Sequence, residues 1–175
     1  MADKLEVGDR APNFELPAVY GYKAGATSPS AEEGVTIKLK DYEGKNWVIL
    51  AFYLFDSTPE DTREMVCFNE WNRKFRTKEV ELFGISWNGV QAHRQFIEIY
   101  QLGFTLLADE HKKMTDLYGV VKEVDDMGQM VKRIHRTTFV IDKTGMIRAV
   151  WDNIEDLREH PREVWEFIQK EKGGK

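Results

Sequence analysis

The feature that most constrains this chain is the run Trp47 to Tyr53, WVILAFY, together with the helix signals immediately behind it. The run is nearly continuously apolar, so it reads as a strand covered on both faces, and that requires a layered α/β arrangement. Next in the chain come the signals of a helix start. Thr58 is placed as N-cap and Pro59 at the first helical position, with acidic Glu60 and Asp61 in the first turn. The segment Ala51 to Trp71 therefore delivers a buried strand to a helix N-terminus. Free N–H groups and the helix dipole favour an anion there. A cysteine in that turn would be a thiolate nucleophile; this chain carries Asp61.

Further strands and helices alternate around this unit. Phe14 to Leu16 reads as a short strand ended by Pro17, and Thr36 to Leu39 as a second. Val80 to Trp87 and Thr138 to Asp142 are two more, and the turn Asp142-Lys143-Thr144-Gly145 returns Met146 to Trp151 antiparallel. The helix Pro59 to Phe75 carries Met65, Phe68, Asn72 and Phe75 on one stripe, with Trp71 beside it. Val90 to Leu102 presents Phe96, Ile97 and Tyr100, and Pro161 to Lys170 presents Val164, Trp165 and Ile168. His111 to Tyr118 is a short additional helix. The stretch Gly21 to Gly34 reads as an exposed loop and the final EKGGK as a fraying tail. With no repeat or linker, residues 1–175 are expected to form a single α/β domain around a mixed sheet.

Composition excludes several function classes. Thirty acidic against 25 basic residues leave a net charge of −5, so no basic field points to nucleic acid. The longest apolar run is too short to span a bilayer, and the N-terminus lacks the apolar core of a secretory signal, so a cytoplasmic location is expected. A single cysteine, Cys67, excludes an internal disulfide and a multi-cysteine zinc site. His93, His111, His135 and His160 are scattered singly, none paired at metal spacing, and read as surface or structural residues. Asp56, Glu60, Asp61 and Glu64 form an acidic cluster that a hard cation would need further ligands to join. No metal or cofactor is expected.

The run Phe52-Tyr53-Leu54-Phe55-Asp56-Ser57-Thr58-Pro59-Glu60-Asp61-Thr62-Arg63-Glu64-Met65-Val66-Cys67-Phe68 resembles the active-site segment of the peroxiredoxins, the alkyl hydroperoxide reductase and thiol-specific antioxidant family. The closer likeness is to the bacterioferritin-comigratory type, which reads F-Y-P-x-D-x-T-P-G-C-T-x-E-x-C-x-F. VGDRAPNFELP, KLKDYEGKNWVILAFY, GISWNGVQAHRQF, FTLLADEHKKMTDLYGV and IHRTTFVIDKTGMIRAVW are similar to other segments of the family, in the same order. The resemblance implies a thioredoxin-like fold of the peroxiredoxin type, with an N-terminal hairpin. It places Asp61 at the peroxidatic cysteine and Leu54 at the proline that shields the thiolate. Thr58 and Arg136 fall at the residues that position and stabilise peroxide, and Glu64 at the family's acidic residue one helical turn on. The second cysteine of the type would fall at Val66, one residue before Cys67.

Asp61 has no counterpart of the family's chemistry. Thiolate attack on the O–O bond leaves a sulfenic acid that a thiol reduces; a carboxylate has no such cycle. It can hold negative charge beside Arg136, imitating a thiolate, and the first-turn N–H groups are expected to hold it. Cys67 lies six residues beyond Asp61, roughly 9 Å along a helix and about 240° around it, outside the same pocket. Three functions stay open at this point. The first is a family member without ordinary peroxidase turnover, acting by binding or sensing, with peroxide or a small anion in the Thr58/Arg136 pocket and a thioredoxin-like reductant or other redox protein as partner. The second is an active thiol peroxidase or reductase using Cys67. The third is a structural or chaperone-like oligomer, a homodimer being the simplest assembly.

Overall fold

A computed structural model describes residues 3–23 and 34–173. The first strand, β1 (Glu15–Val19), pairs antiparallel with β2 (Thr36–Lys38), and a 3-10 turn (Leu39–Tyr42) leads on. Next come β3 (Trp47–Phe52), α1 (Pro59–Thr77), β4 (Val80–Ser86), α2 (Val90–Tyr100) and β5 (Thr105–Ala108). The chain ends with α3 (Lys113–Leu117), β6 (Val121–Asp126), β7 (Gln129–Ile134), β8 (Thr137–Ile141), β9 (Ile147–Trp151) and α4 (His160–Gly173). Seven strands form one mixed sheet in the order β2-β1-β5-β4-β3-β8-β9, and β6 and β7 form a separate ribbon. β3, β4 and β5 are parallel neighbours, while β8, β9 and β1 run antiparallel to their partners.

Every residue of β3 is buried, as its apolar run requires. Its side chains alternate between two cores. Val48, Leu50 and Phe52 join Phe14, Phe83, Met114, Tyr118 and Phe139 on one face. Trp47, Ile49, Ala51 and Tyr53 join Met65, Phe68, Phe75, Phe96, Ile97, Val164 and Ile168 on the other, so α1, α2 and α4 cover that face together. Gly84 of β4 permits the close approach: a Cβ there would stand 2.7 Å from Leu106, 3.2 Å from Tyr53 and 3.3 Å from Met65. The stripe Met65, Phe68, Asn72 and Phe75 is buried, and Trp71 packs beside Trp165.

Several expectations need correction. Pro17 does not end the first strand; it lies inside β1. Ala18 N–H bonds the Val35 carbonyl on the β2 side, so the proline nitrogen points the other way. There, pairing with β5 begins only at Ala18, and no ladder bond is lost. Tyr100 is 37% exposed and meets the Phe96 ring edge to face. Helix α4 begins at His160, putting Pro161 second, and runs to Gly173, so much of the expected tail is helical. Residues 24–33 of the expected loop, and 174–175, lie outside the described residues. β5 and the β6–β7 ribbon are additions to the pattern read from sequence.

Candidate functional site

The turn between β3 and α1 builds the site. Thr58, with extended backbone angles, caps α1: its Oγ1 accepts from Asp61 N–H at 3.2 Å, one of the orphan donors of the first turn. Side chains on a helix tilt toward its N-terminus. The Asp61 carboxylate therefore reaches back past the helix end into the turn, and is 1% exposed. Its Oδ1 accepts from Leu54 N–H at 3.2 Å and from Arg136 Nη1 at 2.7 Å. Its Oδ2 accepts from Phe55 N–H at 3.2 Å and from the Thr58 hydroxyl at 2.5 Å. The expected backbone donors were those of the helix's first turn; the structure supplies those of the preceding turn instead. Leu54 contributes through its N–H, a group that a proline at this position lacks.

Arg136 stands between β7 and β8 and reaches α1. The same Nη1 that meets Asp61 also meets Glu64 Oε2. The guanidinium side chain is 16% exposed, the two carboxylates 2% and 0%. Burial works against the Arg136 charge, but Glu64 and Asp61 outweigh it and hold the guanidinium protonated. One cation thus serves two buried acids. Burial drives the Glu64 carboxyl up to about 7, Arg136 opposing and Asp61 adding to the rise. Glu64 Oε1 has no hydrogen-bond partner. The turn and the β7–β8 connection thus bring together Asp61, Thr58, Arg136, Glu64 and the Leu54 backbone.

Cys67 stands apart from them, half-buried further along α1. Burial, with Glu70, pushes its thiol up, against the pull of Arg158 and Arg63. This is the environment of a packed thiol, not of an activated one. The four acids read as a cluster do not converge. Asp56 turns to Tyr53 and His93, and Glu60 is exposed. Among the described residues no three His, Cys, Asp or Glu side chains are assembled to hold a metal. His135 bonds the Asp152 carbonyl at 2.5 Å, pointing elsewhere than Arg136. His160 is buried against Thr138 Oγ1 at 2.8 Å.

Two contributors escape a reading of sequence. The Phe55 N–H is invisible there because any residue but proline supplies one. The Tyr53, Asp56 and His93 contacts join segments 37 residues apart. Only the short Tyr53–Asp56 spacing is local, and such spacings are common.

Comparison with known proteins shows the family and the fold. A family model described as "AhpC/TSA family" matches residues 7–150. A putative peroxiredoxin bcp of Coxiella burnetii is 38% identical over 86% of this chain and 91% of its own. Peroxiredoxin Bcp of Bacillus subtilis is 30% identical over 94% and 96%. The crystal structure of a cysteine-to-serine mutant of Xylella fastidiosa PrxQ superposes with a TM-score of 0.82 at 24% identity, covering 97% of this chain and 99% of that one. The mixed sheet with its flanking helices is thus the thioredoxin-like fold of the peroxiredoxins, and among the described residues no helix is long and apolar enough to cross a membrane. A match over most of the chain, with relatives covered nearly end to end, leads to one conclusion: this chain belongs to the AhpC/TSA family, in its Bcp/PrxQ-like peroxiredoxin branch.

Proposed function

We propose that this chain is a peroxiredoxin-lineage protein whose own carboxylate occupies the place of the reactive thiolate, and that it works by binding instead of by peroxide turnover. The observation that carries this reading is the donor set of Asp61. Two turn N–H groups, the Thr58 hydroxyl and the Arg136 guanidinium all converge on its oxygens. Such an arrangement stabilises an anion at a fixed point. In a relative with cysteine at this position the same donors would serve a thiolate and the peroxide it attacks; here the carboxylate takes them up. The Xanthomonas campestris bacterioferritin comigratory protein, 25% identical, is described by its alkyl peroxide reduction activity. Asp61 offers no sulfur to become the sulfenic acid of that cycle.

On this reading the chain acts as one cytoplasmic domain, with the β3–α1 turn held permanently in its anion-bound form. Its partner is a redox protein that recognises that form: a thioredoxin-like reductant, another peroxiredoxin subunit or a second copy. The test is peroxide consumption by the purified chain with a dithiol reductant. Consumption no faster than that of an equal concentration of a simple thiol is expected. Catalytic turnover would overturn the proposal. Turnover that disappears in Cys67→Ser would move the chemistry to that thiol.

A further inference from the structure

A second buried polar cluster adjoins the turn without touching Asp61's oxygens. Tyr53 ends the β3 run and is fully buried. Its hydroxyl donates to Asp56 Oδ1 at 2.5 Å. The other carboxylate oxygen, Oδ2, lies 2.7 Å from Nδ1 of His93, in the first turn of α2. Nε2 of the same ring lies 2.9 Å from the Leu107 carbonyl of β5. Side-chain exposure is 0% for His93 and 5% for Asp56. A carbonyl only accepts, so Nε2 carries a proton, and the Nδ1–Oδ2 contact contains one more. Burial and the Asp56 carboxylate keep the Tyr53 phenol protonated. The cluster is therefore fully bonded, without a surplus charge. Asp56 N–H is fixed in addition by Asn88 Oδ1 at 2.8 Å, and Asn88 is held in turn by Ser86.

This cluster grips the segment that serves residue 61. The turn contains Ser57 at φ +68, a left-handed backbone that a non-glycine residue holds only when its surroundings impose it. Asp56 stands immediately before Ser57. Phe55 and Leu54, the two amide donors to Asp61, lie between Asp56 and Tyr53. Both ends of that short arc are thus tied to α2 and to the β4 end.

We propose that Tyr53, Asp56 and His93 are positioning residues for position 61, aiming the Leu54 and Phe55 N–H groups by clamping the arc that carries them. The proposal rests on the reading that those two N–H groups hold the anion at the site. The three side chains touch no ligand and act only through the backbone.

The test is amide hydrogen exchange with carboxyl-carbon NMR on the full chain. Asp56→Ala removes both acceptor oxygens. Leu54 and Phe55 amides should then exchange about tenfold faster, the effect of losing one net hydrogen bond. The Asp61 carboxyl resonance should move, while amides of Leu82 and Val140 keep their rates. Asp56→Asn retains one acceptor oxygen and should recover part of the loss. Tyr53→Phe keeps the packed ring and should give about a threefold acceleration at the same two amides, which preserves the test if Asp56→Ala does not fold. Unchanged Leu54 and Phe55 exchange with an unmoved Asp61 resonance would overturn the proposal. So would a uniform acceleration across the sheet, which marks a merely structural role. Peroxide turnover by the unaltered chain would sink the functional reading yet leave this exchange result standing, so the two failures are distinguishable.

Discussion

Two buried charge clusters flank the β3–α1 turn, and they are built on opposite principles. Around His93, one acid meets one ring and a phenol, the ring in turn meets a backbone carbonyl, and every polar atom has its partner. Around Arg136, two acids share one guanidinium nitrogen, and Glu64 Oε1 is left without a partner. A balanced, satisfied network fixes a shape; an acid in surplus stores a response to protons. The first cluster orients the turn, and the second gives the turn an anion to hold. The lesson is that the Asp61 site is defined as much by its charge imbalance as by its donors.

The comparison breaks most severely at Arg136. Arg136→Met leaves two buried acids without a cation and should cost about 3–5 kcal/mol at a pH above the Glu64 titration, measured by urea unfolding. A loss below about 1 kcal/mol would mean that the two acids already share a proton and need little help.

Glu64→Gln sharpens the contrast from the other side. The Glu64 carboxyl lies near 4.5 in its ordinary state and near 7 when folded. The folded form therefore binds the proton more tightly. The stability this adds is fully present below about 4.5 and is lost as pH rises through about 7. Glu64→Gln should flatten the pH dependence of unfolding over that range by on the order of 3 kcal/mol. An unchanged slope would show that the surplus acid is not Glu64.

Smaller effects are expected at the turn and beyond it. Leu54→Pro deletes one donor to Asp61 Oδ1 and should cost about 1–3 kcal/mol. In an Asp61→Ala background the same substitution should cost less, because no anion at position 61 then needs that N–H. A double-mutant cycle reads the difference as a coupling between positions 54 and 61. Additive costs would mean that Leu54 serves the backbone alone. At Cys67 the smallest effect is expected. Native thiol labelling should be slower than that of an unfolded control, because burial raises the thiol. Labelling as fast as in the unfolded chain would make Cys67 an open, reactive group.

How much of this was legible in the sequence divides along the same line. The β3 run, the Thr58-Pro59 helix start and the α1 stripe are local patterns, and the structure keeps them. The resemblance pointed to Arg136, 75 residues away from Asp61, which no local pattern could pair with it. The β6–β7 ribbon was missed because VKEVDD and QMVKRI are exposed on most residues and show no buried face. Its tip has φ +54 at Met127 and +87 at Gly128, a turn that Asn-Gly or Asp-Gly would have announced more clearly. His93 read as a scattered histidine because its partners come from the β3–α1 turn and from β5. Backbone donors such as Phe55 N–H leave no trace in residue identity at all.

The most direct test places a thiol where the carboxylate now sits. In Asp61→Cys, with Cys67→Ser removing the other thiol, the titration of residue 61 can be followed by thiolate absorbance. The Leu54 and Phe55 N–H groups, the Thr58 hydroxyl and Arg136 should hold the thiolate, so the thiol should titrate well below its ordinary value of about 8.5. That should hold even with the neighbouring Glu64 working against it. Peroxide should convert it to the sulfenic acid in a single turnover, read by mass spectrometry. A thiol that titrates at or above about 8.5, and reacts no faster than free cysteine, would show that these donors are not organised around an anion at position 61.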